Sequence, residues 1–131
     1  MTDNTIANPW FLATNAYAEL SYEAAKEFLH KGQIQFTDLN RDFFRIVGID
    51  ESLLKTSLTA SSPEFRNVIR EMVKFGDGFL ERSKMHSGKE GRFDEQMNRD
   101  TGFMQGAKDL TWSYASFATA VLARDRLMSE L

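Results

Sequence analysis

Glu95 and Gln96 lie in a polar stretch, residues 86–108, that contains four glycines and precedes a long apolar segment. A carboxylate held in such a loop by the scaffold around it is a common setting for a general acid or base. Most loop glutamates are nevertheless solvated charges, and composition alone favours that interpretation by roughly nine to one. Glu95 is therefore a candidate catalytic residue only if other features of the sequence support it.

Trp10 and Trp112 each stand near the start of a segment in which apolar residues recur at helical spacing. A tryptophan in that position is either a core side chain or a platform for a ligand. Periodicity alone favours the core for both residues, by roughly four to one.

Glu27 and His30 have the Glu-x-x-His spacing of di-iron helical bundles, which also need a second copy and two further glutamates. The other histidine, His86, has Ser83 three residues before it, so the second copy is absent. We interpret His30 as a residue near a helix C-terminus, where a positive charge interacts favourably with the helix dipole. Because the sequence also has no cysteine, no phosphate loop and no nucleophilic triad, it predicts neither a metal nor a cofactor.

The composition indicates one folded domain. The chain has 131 residues, 42% of them hydrophobic, and only 2 prolines. A net charge of −3 without a basic cluster argues against a nucleic-acid partner. Residues 1–5 have no basic or apolar leader, and the longest apolar run, at 114–123, is interrupted by polar residues, so no targeting or membrane-spanning segment is predicted.

Hydrophobic spacing and capping signals predict an all-α chain with no strands. Asn8 before Pro9, and Ser62 before Pro63, are typical helix starts. The predicted helices cover about 9–30, 37–47, 62–85 and 109–127, and the loops cover 49–61, with room for one turn at 51–55, and 86–108. Gly76 and Gly78 lie inside the third helix, where an exposed glycine lowers helix stability by roughly 1 kcal/mol relative to alanine. Their presence despite this cost indicates that another part of the chain packs closely against the helix there.

The first and last predicted helices are apolar on most of their surface and are expected to be buried. The residues that define their apolar faces are Trp10, Ala13, Ala16, Tyr17, Leu20, Ala24 and Phe28 in the first, widened by Phe11, Leu12 and Ala18, and Leu110, Trp112, Tyr114, Phe117, Val121 and Leu122 in the last.

Several of these segments together resemble one enzyme family. The sequence NPWFL at 8–12, the pair Glu95-Gln96, Gly102 and the unbroken DLTWSY at 109–114 match a pattern of the glucoamylases, the inverting exo-glucosidases of glycoside hydrolase family fifteen. The similarity is to the C-terminal part of their catalytic domain. Met97 departs from the pattern, because the family usually has an aromatic residue there.

The resemblance implies that residues 1–131 are a single incomplete domain, part of an (α/α)6 barrel, covering roughly the last quarter to third of the catalytic domain. It implies that Glu95 is the general base that activates the attacking water. It further implies that Gln96, Trp10 and Trp112 bind the sugar, with the indoles packing on the apolar face of a pyranose.

The same resemblance implies an α-glucan substrate, inversion at the reacting carbon, no cofactor and no metal, and an extracellular or vacuolar location. The family's general acid lies far upstream, so the missing N-terminal part of the barrel would supply it and the chain alone is expected to be inactive. One alternative stays open, a non-catalytic helical module that binds a partner or a glycan through uncovered apolar faces.

The barrel interpretation predicts that the first and last helices are parallel, adjacent, inner helices and that the third returns antiparallel outside them. Trp10, Glu95 and Trp112 should then converge at one end of the fold. An antiparallel arrangement would separate the two tryptophans by most of about 30 Å, the length of a 20-residue helix.

Overall fold

The protein was examined as a computed structural model that describes residues 7–55 and 57–131, and this part of the chain is mostly α-helical. Its helices are α1 (Phe11–Lys31), α2 (Arg41–Val47), α3 (Pro63–His86) and α4 (Thr111–Met128), with 3₁₀ turns at Leu53–Lys55 and Lys89–Gly91. The predicted all-α class is confirmed. No described helix combines the length and the apolar character needed to cross a membrane. Residues 1–5, where no leader is predicted, lie outside the described residues.

Four two-residue strands correct the prediction that the chain has none. Strand β1 (Gln33–Ile34) pairs antiparallel with β2 (Leu58–Thr59), and β3 (Gln96–Met97) pairs antiparallel with β4 (Met104–Gln105). The β3–β4 hairpin lies inside the stretch 86–108 that was predicted to be a loop. Strands this short contain only one step of the two-residue alternation, so periodicity cannot reveal them.

Helices α1 and α4 are parallel neighbours. The Trp10 ring, just before α1, lies 5.9 Å from the Trp112 ring at the start of α4. At the other end of both helices, His30 Nε2 lies 2.5 Å from a carboxylate oxygen of Glu130. This parallel arrangement confirms the orientation that the barrel interpretation predicts.

Helix α3 runs antiparallel to α1. Ser83, near the C-terminus of α3, donates a hydrogen bond to Asn15 in the first half of α1, at 2.6 Å. Met72, in the first half of α3, accepts one from Ser21 further along α1, at 2.8 Å. The antiparallel direction predicted for the third helix is confirmed, and its place outside the first and last helices stays a prediction.

Tyr22 joins the three long helices. Its hydroxyl donates to Asp77 of α3 at 2.7 Å, and Asp77 also pairs with Arg124 of α4 at 2.7 Å. Burial and the adjoining carboxylate raise the pKa of Tyr22. Burial acts to raise the pKa of Asp77 as well, but hydrogen bonds from Arg124 and Tyr22 outweigh it and hold that pKa below its usual value. A Cβ at Gly76 would lie 2.5 Å from the Tyr22 ring, whereas one at Gly78 would meet nothing within 4 Å, so the prediction of close packing is right only for Gly76.

Hydrophobic spacing predicts the buried faces of α1 and α4 only in part, since Phe11 and Ala18 are buried as predicted but several other predicted residues are exposed. Tyr17 and Leu20 of α1 are 59% and 62% exposed, and Trp112 and Leu122 of α4 are 44% and 52% exposed. Small and polar side chains fill much of the contact between the helices, because they let two helix backbones approach closely. The buried residues are Phe11, Asn15, Ala18, Ser21, Tyr22 and Ala25 in α1, and Ser113, Ser116, Ala120, Ala123 and Leu127 in α4.

Helices α1 and α4 both begin two residues later than predicted, at Phe11 and Thr111. Asn8 does not cap α1, because its side chain bonds to Gln96 and to the amide of Arg99 instead. Trp10, the residue just before α1, is extended and pairs with Gln96 of β3 rather than continuing the helix.

Candidate functional site

Strand β3 lies across the N-terminal ends of α1 and α4. The Phe11 amide donates to the Glu95 carbonyl at 3.3 Å, and the Met97 amide donates to the Pro9 carbonyl at 2.8 Å. On the α4 side, the Leu110 amide donates to the Phe93 carbonyl at 3.0 Å. These bonds carry Glu95 to the end of the fold where both helices begin.

The two tryptophans stand at this same end. Their ring planes are tilted by 41°, Trp10 pairs with Gln96 in an isolated antiparallel bridge, and Trp112 is 44% exposed. The core assignment that periodicity favours is therefore wrong for Trp112. The structure brings Trp10, Trp112, Glu95 and Gln96 together, in the arrangement that parallel first and last helices require.

Glu95 is half-buried and is oriented by backbone groups. Its amide donates to the Ala107 carbonyl at 2.9 Å, and its carboxylate Oε2 accepts from the Ala107 amide at 3.4 Å. Gly106 has φ +84, and a Cβ there would lie 2.9 Å from the Glu95 Cβ and would overlap Oε2. No ion pair within the described part of the chain involves Glu95.

Asp94, the adjacent acid, is only 2% exposed and has a structural position. Its Oδ1 accepts from the Asp109 amide at 3.2 Å and lies 3.4 Å from Arg92 Nε. Asp109 has φ +49, a conformation that aspartate tolerates better than most residues, and its own carboxylate accepts from the Tyr114 hydroxyl at 2.8 Å. Two residues of the DLTWSY sequence are thereby explained as the joint between the site loop and α4.

Sequence reasoning did not single out Asp94, and nothing in its spacing distinguishes it from the exposed acids nearby. The distinction between Asp94 and Glu95 comes from the fold, because one carboxylate points into the joint and the other does not.

The Gln96 side chain is held on both sides of β3. Its Oε1 accepts from Asn8 Nδ2 at 3.3 Å and from Gln105 Nε2 at 3.5 Å. Met97, the departure from the family pattern, is 3% exposed and packs in a small core beneath the site with Phe11 and Phe93. The methionine therefore supports β3 by apolar packing.

Neither histidine lies in a cluster suited to metal binding. His86 Nδ1 lies 3.0 Å from the Gly102 carbonyl, where the ring supports the β3–β4 turn, and His30 pairs with Glu130. Among residues 7–55 and 57–131, no group of three or more histidine, aspartate or glutamate side chains is arranged to hold a metal ion.

Comparison with known proteins identifies the family. The model of the glycosyl hydrolases family 15 matches residues 2–122. A glucoamylase of Blastobotrys adeninivorans is 35% identical over 94% of this chain, and the match spans 20% of that enzyme's length. The solved glucoamylase of Hypocrea jecorina superposes with a TM-score of 0.80 at 35% identity, over 92% of this chain and 20% of the other. The glucoamylase of Saccharomycopsis fibuligera gives 0.84 at 31% identity, over 95% and 27%.

The chain thus spans only about a fifth to a quarter of the relatives that it matches. Its parallel α1 and α4 with an antiparallel α3 are a portion of the (α/α)6 barrel of those enzymes. Fold, sequence and family model agree over nearly all of its length, and the chain belongs to family 15 of the glycosyl hydrolases.

Proposed function

We propose that this chain supplies the general base and part of the sugar-binding pocket of an inverting, exo-acting α-1,4-glucosidase. Such a glucoamylase releases glucose from the non-reducing ends of starch, glycogen or maltooligosaccharides. The observation that carries the proposal is that the Phe11 amide donates a hydrogen bond to the Glu95 carbonyl at the same end of the fold where the Trp10 and Trp112 rings lie 5.9 Å apart. The family, and the names of the relatives, support the same reaction class.

In this mechanism Glu95 accepts a proton from a water molecule as that water attacks the anomeric carbon of the terminal glucose. The bond from that carbon to the glycosidic oxygen breaks, and a second carboxylic acid protonates the leaving oxygen. The two carboxyl groups stand about 6.5–9.5 Å apart, which leaves room for the water and inverts the configuration. A carboxylate that makes no ion pair within the described part of the chain, oriented by the Ala107 amide, suits the role of the base.

Trp112 and Trp10 would pack against the apolar face of the terminal sugar, and Gln96 would bond to its hydroxyl groups. The indole of Trp112, which is 44% exposed, is consistent with this role, since it leaves apolar ring surface open to a ligand. Neither the reaction nor the proposed sugar contacts call for a cofactor or a metal.

The chain alone should be inactive, because the acid would come from the remaining part of the same barrel. Large exposed apolar side chains on α1 and α4, among them Tyr17, Leu20 and Leu122, favour a covering partner of this kind. The same exposed side chains favour a second candidate, a non-catalytic module that binds a partner or a glycan. We place the parent enzyme outside the cell or in the vacuole by its family resemblance.

A graft tests the proposal. In the Saccharomycopsis fibuligera glucoamylase, the segment that superposes on this chain is replaced by this chain, and the product is called the graft. The graft should release glucose from soluble starch, where the released sugar comes from the non-reducing ends, and the glucose first released should be the β-anomer, as nuclear magnetic resonance can detect before mutarotation.

A folded graft, with a cooperative melt like that of the host, that releases no glucose would contradict the enzymatic proposal and favour the binding module. Release of the α-anomer would contradict inversion. The 131-residue chain by itself, purified free of host amylases, is the control and should release none.

A further inference from the structure

A buried chain of hydrogen bonds links the three long helices to the segment that carries Glu95. Ser83 of α3 donates to Asn15 Oδ1 of α1 at 2.6 Å, and Asn15 Nδ2 donates to the Ser116 hydroxyl of α4 at 3.0 Å. Ser116 donates to the carbonyl of Ser113 at 3.0 Å. The hydroxyl of Ser113 then donates to the carbonyl of Asp94, one residue before Glu95, at 2.8 Å.

These side chains are among the least exposed polar groups of the protein. Asn15, Ser83 and Ser113 are 0% exposed, and Ser116 is 8% exposed. Burying polar groups costs free energy unless each finds a partner, and here every link is satisfied. The one buried side-chain atom without a partner in the described part of the chain, Arg41 Nε, lies elsewhere. A contact between helices could be made by apolar residues alone, so a fully satisfied polar chain here calls for an explanation beyond helix packing.

This series of hydrogen bonds ends at Asp94, next to Glu95, whose backbone is also held by two other segments. The Glu95 amide is bonded to Ala107 and its carbonyl to Phe11, while the preceding carbonyl, that of Asp94, is bonded to Ser113. Three consecutive polar groups of the backbone are thus held by β4's C-terminal extension, by α1 and by α4. The position of the Glu95 carboxylate therefore depends on how firmly this backbone is held.

We propose that Ser113 is a positioning residue whose hydroxyl fixes the backbone next to Glu95. Ser116, which accepts from Asn15, in turn bonds to the carbonyl of Ser113 and holds it in place. The inference deepens the proposed function and rests on Glu95 being the base. Ser113 touches neither the water nor the sugar in this account, so its loss should lower kcat while leaving KM nearly unchanged.

Ser113→Ala in the graft is the test, and Ser21→Ala is its matched control. Ser21 is 1% exposed and also donates from a helix to a carbonyl of another segment, that of Met72, at 2.8 Å, but it is remote from Glu95. The two variants should lose similar stability. We expect Ser113→Ala to lower kcat by about tenfold or more, since small misplacements of a catalytic group have effects of this size. Ser21→Ala should change kcat by less than about twofold.

Equal kcat values for Ser113→Ala and Ser21→Ala, while Glu95→Gln abolishes turnover, would overturn the inference. If Ser113→Ala does not fold, Ser116→Ala breaks the chain one link earlier and should lower kcat in the same way; an unchanged kcat there would overturn it as well.

Turnover that survives Glu95→Gln would refute the proposed function itself. Hydrogen exchange then still decides whether Ser113 holds the segment, because it needs no catalysis. The Glu95 and Met97 amides should exchange about tenfold faster in Ser113→Ala than in Ser21→Ala. Equal exchange rates would overturn the positioning role.

Discussion

Gly106→Ala is the substitution that should move the Glu95 carboxylate with the least change elsewhere. Gly106 has φ +84, and an added Cβ would lie 2.9 Å from the Glu95 Cβ, 3.3 Å from its carboxyl carbon and closer still to Oε2. Contacts this short are not tolerated, so the carboxylate has to leave its place beside the Ala107 amide. The matched control is Gly48→Ala, because Gly48 has φ +94 and an added Cβ there meets nothing within 4 Å.

The two substitutions share the cost in stability of a left-handed alanine, but they should differ in their cost in turnover. Forcing alanine into the left-handed region costs about 1–2 kcal/mol at either site. At Gly106 the displaced carboxylate adds a loss of kcat, and a shift near 1 Å in a catalytic group can cost about 100-fold. We therefore expect kcat to fall by about 100-fold in Gly106→Ala and by less than about twofold in Gly48→Ala.

The assay compares initial rates on maltose and urea unfolding curves for both variants of the graft. If Gly106→Ala keeps the turnover of Gly48→Ala at equal stability, the carboxylate does not work from the position seen here, and the reasoning from its contacts fails.

Three further predictions concern the chain itself. Gly76→Ala should destabilise it by driving a methyl into the Tyr22 ring, whereas Gly78→Ala should stabilise α3 by up to about 1 kcal/mol; urea unfolding showing the same sign for both would be inconsistent with this packing. Asp77→Asn should cost about 1–2 kcal/mol at pH 7. Because the pKa of Asp77 is lowered on folding, its contribution is complete above its unfolded pKa of about 3.9 and is lost as the pH falls through the folded value. The cost of Asp77→Asn should therefore shrink as the pH falls below about 3.9, and a cost that does not change with pH would argue against an ionic role. The isolated chain should associate through the exposed apolar faces of α1 and α4, and light scattering that finds a compact monomer, without dye-detectable apolar surface, would contradict a missing partner.

The helices could be predicted because their signals are local. Ser62 before Pro63 predicted the start of α3, and its side chain does accept from the Phe65 amide. Asn8 before Pro9 is the same local signal, but the structure uses Asn8 to bind Gln96 and Arg99 across 88 and 91 residues of sequence. Partners that distant cannot be read from a capping motif, so the start of α1 was misplaced.

The faces of the helices could not be predicted, for a related reason. Hydrophobic spacing shows which side of a helix is apolar, but it does not show which neighbour covers it. The contact between α1 and α4 includes the polar pair Asn15 and Ser116, which hydrophobic spacing does not mark, while Tyr17 and Leu122 face outward. The position of Glu95 at the same end of the fold as the two tryptophans was predictable only through the family resemblance, since no local pattern joins residues 10, 95 and 112.

The central claim is that Glu95 is the general base, and the turnover of Glu95→Gln in the graft tests it most directly. Glu90→Gln is the control, because Glu90 is an exposed acid of the same loop, five residues away. General acid–base catalysis contributes about 10²- to 10⁴-fold, so Glu95→Gln should lower kcat on maltose by that factor while KM changes little, and Glu90→Gln should keep full turnover. A Glu95→Gln graft that turns over as fast as Glu90→Gln would remove Glu95 from the mechanism.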